Sequence, residues 1–250
     1  MEAISVYWTT GCSSCVRVKE FLTRKGVPFE SINVAKDPAA MKFLASLGAR
    51  SIPVVVRGRE FTFAQSLDDV AAFVGIEHVV DVLAPEVLVE RWKAIMDIAA
   101  TAISKIPDAM LEELPAPPRA RTVRDVAYHI FQVPDAFLQV VNDGLEDWTV
   151  VANVDAPPSL DTAAILAYAD RQRAGVAAWW DALEDRSCKK PLKMFYGVHS
   201  MHSFLERSVW HTAQHTRQLL WWSNENGIAI EKPLTEQILE GLPVPKGLWE

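Results

Sequence analysis

A chain of 250 residues, half of them hydrophobic and 23% charged, is long enough to bury a core as one large domain or two ordinary ones. A formal charge of −7 and a pI near 5.4 argue against a nonspecific nucleic-acid binder, which needs a basic face. No apolar run approaches the roughly 18 residues that span a bilayer. The start, MEAISVYWTT, lacks a basic n-region followed by an apolar run, so the expectation is a cytoplasmic protein with no nucleic-acid or membrane partner.

In chain order, residues 4–8 predict a first strand and 14–25 a helix that Gly26, Val27 and Pro28 stop. Residues 29–34 read as a second strand. Asp37 and Pro38 open the next helix, with the proline in its first turn, and Gly48 ends it. Residues 53–56 give a third strand, a turn follows at RGRE, and 60–63 return as a hairpin partner. Ser66 caps a last helix. The order βαβαββα predicts a small α/β domain over residues 1–80.

After a linker at 81–86 the strand signal fades. Four long helical patterns occupy about 86–112, 122–143, 160–185 and 202–226, broken by Pro115, Pro117 and Pro118, then by NVDAPP, then by KKP. Thr122 with Asp125 resembles a capping box, and Pro134 is expected to kink the second helix. Residues 87–232 thus predict an all-α up-and-down four-helix bundle, whose sites are built from inward side chains. The tail, 233–250, reads as an extended arm.

The segment TTGCSSC places Cys12 at a helix N-terminus, where free N–H groups and the macrodipole favour thiolate over thiol. Cys15, one turn on, is placed to resolve a mixed disulfide on Cys12. Two inert thiols or half a zinc site would carry the same spacing. The stretches VYWTTGCSSC, DPAA, SIPVVV and QSLDDVAAFV together resemble the glutaredoxin branch of the thioredoxin fold, above all its mycoredoxin-like and NrdH-like members. The resemblance implies a cis Pro53 facing the cysteines, Cys12 as nucleophile and Cys15 as resolving thiol. It also implies that Ile52, with Ser51 before it, holds the incoming thiol substrate. Where many glutathione-binding members carry Gly-Gly, this chain has Phe63, Ala64, Gln65 and Ser66, a departure that bears on glutathione and leaves dithiol chemistry intact.

Of six histidines, His78 reads as solvated, and His199 and His202 as surface residues before the fourth helix. His211 and His215 are four apart, hence on one face a turn apart. His129 sits among apolar residues of the second helix. Such rings are metal ligands, a catalytic pair, or hydrogen-bonded core residues. TVRDVAYHIF and VWHTAQHTRQLL resemble the histidine segments of the DinB-like superfamily of four-helix bundles. That resemblance implies a divalent metal (zinc, nickel, iron or manganese) on His129, His211 and His215, with open positions for water or substrate, and a homodimer. Asp125 is expected either to orient His129 or to serve as a first-turn charge; Arg217 and Gln218 line the site or face solvent. Cys188 reads as a free surface thiol.

Many DinB-like enzymes resemble thiol transferases or thiol-dependent isomerases. The fusion therefore implies a metal-dependent S-transferase or isomerase using a low-molecular-weight thiol of the glutathione, mycothiol or bacillithiol type. Small thiols and small electrophiles would be its partners, and the redox module would be attached. The alternative is a glutaredoxin-like oxidoreductase whose bundle is a regulatory or binding module.

Overall fold

The computed structural model describes residues 2–79, 81–115 and 121–249; Pro117 and Pro118, read as helix breakers, lie outside the described residues. The chain divides into two units, Met1–Asp81 with Pro245–Glu250 and Val82–Val244.

The first unit runs β1 (Ile4–Trp8), α1 (Ser13–Arg24), β2 (Glu30–Asn33), α2 (Pro38–Leu47), β3 (Val54–Arg57), β4 (Glu60–Phe63) and α3 (Leu67–Val74), the order the sequence predicts. Its mixed sheet is ordered β2-β1-β3-β4, with β1 and β2 parallel and the other pairs antiparallel. Side chains alternate across a strand, so Val6 and Val55, paired in register, pack with Phe21, Leu22 and Val70 of α1 and α3. Tyr7, Val54 and Val56 turn to the other face and meet Ala40 and Leu44 of α2. Burial on both faces explains why β3 reads as an unbroken apolar run. Asp37 caps α2, its carboxylate accepting the Ala39 and Ala40 N–H groups, and Gly48 closes it at φ 81°, a left-handed turn that suits glycine. His78 is not solvated as expected. Its ring packs edge-on against Phe21 at 4.8 Å, and loss of water pushes its pKa down, with Asp68 opposing.

The second unit contains α4 (Pro85–Ile103), α5 (Val123–Asp143), α6 (Thr149–Ala152), α7 (Thr162–Ala182), β5 (Pro191–Met194), β6 (Gly197–Ser200), α8 (Met201–Glu225) and α9 (Glu236–Leu239). The first predicted helix stops at Ile103 rather than near 112. Pro107 disfavours helical backbone before it, and the chain resumes as a 3-10 turn at Asp108–Met110. The capping box at Thr122 and Asp125 forms with both bonds present. Four long helices make the bundle: α8 packs against α4 and α5, and α7 against the same two. Helices α7 and α8, consecutive in the chain, therefore lie across the bundle rather than side by side. The long connection between them leaves room for this crossing. It also holds the β5–β6 hairpin, which the sequence reading did not anticipate. Its cue is a short alternation, with Leu192 and Met194 turned into the core and Lys193 out.

Trp92, Trp210, Phe131, Phe137 and Phe204 fill the bundle centre, and the Trp92 indole N–H donates to Thr212 Oγ1 at 2.9 Å. Cys188 is buried there too, contrary to the surface thiol expected. Its backbone turns at φ 51°, and desolvation, helped by Asp185 and Glu86, pushes its pKa up to about 11. His202 is not a simple surface residue, since its Nε2 lies 2.7 Å from the Leu83 carbonyl oxygen. Within 233–250, read as an extended arm, α9 forms, the Arg91 guanidinium donates to the Glu240 carbonyl, and Leu242 is buried in the bundle core. Residues Pro245–Glu250 group with the first unit, where the Glu20 carboxylate accepts the Lys246 and Gly247 N–H groups at 2.9 and 2.7 Å. Among the described residues no helix is long and apolar enough to cross a membrane.

Candidate functional site

Each unit carries its own cluster of reactive side chains. In the first, β1 ends at Trp8 and the chain turns through Gly11 into α1, with Cys12 at the N-cap in extended backbone. Cys12 Sγ accepts the Cys15 N–H at 3.2 Å, so the sulfur sits among the donors that a helix start leaves unpaired. Cys12 and Cys15 are joined as a disulfide with Cα atoms 5.2 Å apart. Their exposure differs: Cys15 is fully buried, while Cys12 is partly open to solvent.

The Ile52–Pro53 peptide is cis. Tyr7 pairs with Val54, which sets Pro53 beside the end of β1 that leads into the cysteine turn. The Pro53 carbonyl accepts the Ala64 N–H at 2.9 Å, tying the proline to the strand beyond it. Ser51 and Ile52 are half-buried just before it, and the Ser51 hydroxyl lies 3.4 Å from the Ile52 carbonyl, a long contact. The Lys19 ammonium sits 3.8 Å above the Trp8 ring, covering one side of the turn with positive charge.

In the bundle, α5 contributes His129 and α8 contributes His211 and His215. His211 Nε2 lies 3.3 Å from His129 Nε2 and 3.2 Å from His215 Nε2, and the three candidate ligand atoms fall within 4.8 Å of one another. His129 and His215 are buried and His211 is partly so. An ion about 2.0–2.1 Å from each imidazole in a tetrahedral shell sets its nitrogens roughly 3.4 Å apart. Two of the separations match that figure, and the donor set, three neutral imidazoles, suits a borderline divalent metal. The residues fit such an ion.

The structure decides between the alternatives that the sequence reading left open for the flanking groups. Asp125 does not reach His129: one carboxylate oxygen receives the Thr122 N–H and hydroxyl, and the other receives the Ala156 N–H at 3.1 Å. It ties a helix start to the loop at 156. The neighbour of His129 is Gln132, which that reading passed over, with Oε1 3.4 Å from His129 Nδ1. Gln218 Oε1 lies 2.8 Å from His215 Nδ1, and Arg217 donates instead to Gln214. The cue in the sequence is a repeated spacing, HIFQ and HTRQ, which sets histidine and glutamine one turn apart on one face. Trp210 meets the His211 ring edge-on at 5.2 Å and closes the cluster on one side with apolar surface.

A sequence profile described as Glutaredoxin matches residues 4–62. N-acetyl-S-hydroxy-L-cysteine reductase of Bacillus subtilis (strain 168) is 37% identical over 76 residues, which make up 30% of this chain and 76% of that protein. Glutaredoxin-like protein NrdH of Escherichia coli (strain K12) is 36% identical over 55 residues, 22% of this chain and 68% of its own. Among solved structures, a DinB-like protein of Bacillus subtilis, YjoA, is similar with a TM-score of 0.47 at 16% identity, over 59% of this chain and 96% of its own. YfiT of the same organism, described as a probable metal-dependent hydrolase with an unusual four-helix bundle topology, is similar with a TM-score of 0.49 at 14% identity, over 61% and 93%. At these values the likeness adds nothing to the bundle that the helices themselves display.

Proposed function

The chain belongs to the glutaredoxin family through its first unit, and on that premise we propose a two-site enzyme of low-molecular-weight thiols. The first unit is a dithiol reductase, and the bundle is a metal-dependent thiol S-transferase or thiol-dependent isomerase. In the first, the Cys12 thiolate attacks a mixed disulfide, its S–S bond breaks, and the departing thiolate takes up a proton. Cys15 then attacks the Cys12 sulfur, releasing the second thiol and leaving the intramolecular disulfide. An external thiol or dithiol restores the pair. The open Cys12, the buried Cys15 and the adjacent cis Pro53 support these roles, with Ser51 and Ile52 presenting backbone to the incoming thiol. The name of the Bacillus subtilis relative, a reductase of an S-hydroxy cysteine derivative, supports oxidised small thiols as the substrate class.

In the bundle, His129, His211 and His215 would hold zinc, nickel, iron or manganese through their Nε2 atoms, and the ion when bound supplies Lewis-acid activation of a thiol sulfur or water. The convergence of those three nitrogens is the observation that carries this half of the reading. The His129 and His215 rings are shielded from bulk water, His211 is partly open, and Trp210 shapes the apolar wall. Glutathione, mycothiol or bacillithiol would serve as the thiol, and a small electrophile as its acceptor.

Elemental analysis of the purified full chain tests it. About one divalent ion per chain is expected, lost in His215→Ala together with transfer of a small thiol to a chromogenic electrophile. Full metal occupancy in that variant overturns the metal site. A second reading, with the redox unit as sole catalyst and the bundle as a binding module, is favoured by one fact: the two curated relatives span less than a third of this chain. Mixed-disulfide reduction without metal or transfer in the intact protein would decide for it.

A further inference from the structure

We infer that Gln132 and Gln218 are positioning residues that hold the protons of His129 and His215 on Nδ1, so that the Nε2 lone pairs of both rings point at His211 Nε2. This rests on the metal reading of the bundle for its purpose, though not for its geometry.

A neutral imidazole carries one N–H and one lone pair, and which nitrogen bears the proton follows from its neighbours. For Gln132 the amide orientation is not a free choice. Its Nε2 lies 3.0 Å from the Val151 carbonyl and 2.9 Å from the Val154 carbonyl, and carbonyl oxygens only accept. Both amide N–H groups are thereby committed, and Oε1 is left to face His129 Nδ1. An oxygen there selects the tautomer that donates from Nδ1. The same group faces His215 Nδ1 from Gln218, at a shorter distance. Both amides are almost wholly buried, at 3% and 2% exposure, so water does not compete for the ring protons.

The consequence lies at the centre of the cluster. Two lone-pair nitrogens converge on His211 Nε2 at 3.3 and 3.2 Å, an arrangement that repels itself unless a proton or a cation stands between them. The glutamines thus preform a chelating pair before any ion arrives. Gln132 also makes the backbone of residues 151–154 part of the site, because it is anchored there on one side and touches a ligand ring on the other.

Two readouts test this without catalysis. Long-range proton–nitrogen NMR of the metal-free full chain, at a pH where the rings are neutral, should show His129 and His215 protonated at Nδ1. Zinc affinity, measured by competition with a chromophoric chelator, should fall about 10- to 100-fold in Gln132→Leu and in Gln218→Leu. It should be kept or tightened in the isosteric Gln218→Glu, whose oxygen accepts more strongly from His215 Nδ1; this variant guards against a mere folding defect. Protons found on Nε2 of both rings, or Leu variants that fold and bind zinc as the parent does, would overturn the inference. If the parent binds no zinc yet shows Nδ1 protons on both rings, the metal reading falls and the glutamine assignment stands.

Discussion

The two units build reactive sites by opposite means. In the first, Cys12 and Cys15 are a turn apart at the start of one helix, and the sulfur that faces solvent accepts the Cys15 backbone N–H of α1. In the bundle, rings from α5 and α8 meet although His129 and His211 lie 82 positions apart, and they are held through packed side chains. A site made of local backbone tolerates much change elsewhere in its domain. A site made of packed side chains inherits every defect of the packing around it. The first unit is therefore vulnerable chiefly at the start of α1, and the second throughout its core.

The largest effect is expected from Trp92→Ala. Trp92 is fully buried between α4 and α8 and donates to Thr212, one residue from His211. Its loss should cost the bundle about 3–5 kcal/mol and weaken the histidine cluster, while the disulfide exchange rate at Cys12 stays within a factor of about two. Thermal unfolding followed by tryptophan fluorescence, alongside a mixed-disulfide assay, measures both; equal damage to the two sites would show that they do not differ in this way.

Next comes the contrast between thiols. With a pKa near 11 and burial in the bundle core, Cys188 holds roughly one part in a thousand as thiolate at pH 8. In the reduced, folded protein a thiol probe should label Cys12 at least about 100-fold faster than Cys188, the two becoming alike in denaturant. Peptide mapping after timed labelling decides this, and fast native labelling of Cys188 would show that its part of the bundle opens.

The smallest effect concerns the first unit. Burial against Phe21 lowers the His78 pKa in the folded state, so the unfolded chain takes up the proton first as pH falls. The associated stability is complete above the ordinary histidine value of about 6.5 and is lost as pH drops through the depressed folded value. Melting of the first unit between pH 7.5 and 5 should therefore flatten in His78→Gln, and an unchanged slope would assign the acid sensitivity to other groups.

Much of this molecule was legible in the residues because the signals were local. The alternation of Val6 with Tyr7 and of Val54 with Val55, the capping residues Asp37 and Ser66, and the stop at Gly48 each act over a few positions, and the predicted order of the first unit matches the one observed. The capping box at Thr122 acts over the same range. The spacing of His211 and His215 tells of a shared face, the family resemblance joins His129 to them, and the structure brings the three rings together. Gln132 escaped notice because its role depends on the Val151 and Val154 carbonyls, which only the fold brings to it. Of the two roles open to Asp125, the fold selects the one at the helix start, since the Ala156 N–H claims the oxygen that one turn of helix could offer His129.

By itself, the amino-acid sequence determined two units of different class, the cysteine pair at a helix start, and which faces of α5 and α8 carry imidazoles. Tertiary structure alone decided that α7 and α8 lie across the bundle, that Cys188 is buried, and which nitrogen of each ring turns inward. Periodicity and capping are written within one or two helical turns, whereas burial and proton placement depend on atoms that reach a residue only when distant segments pack.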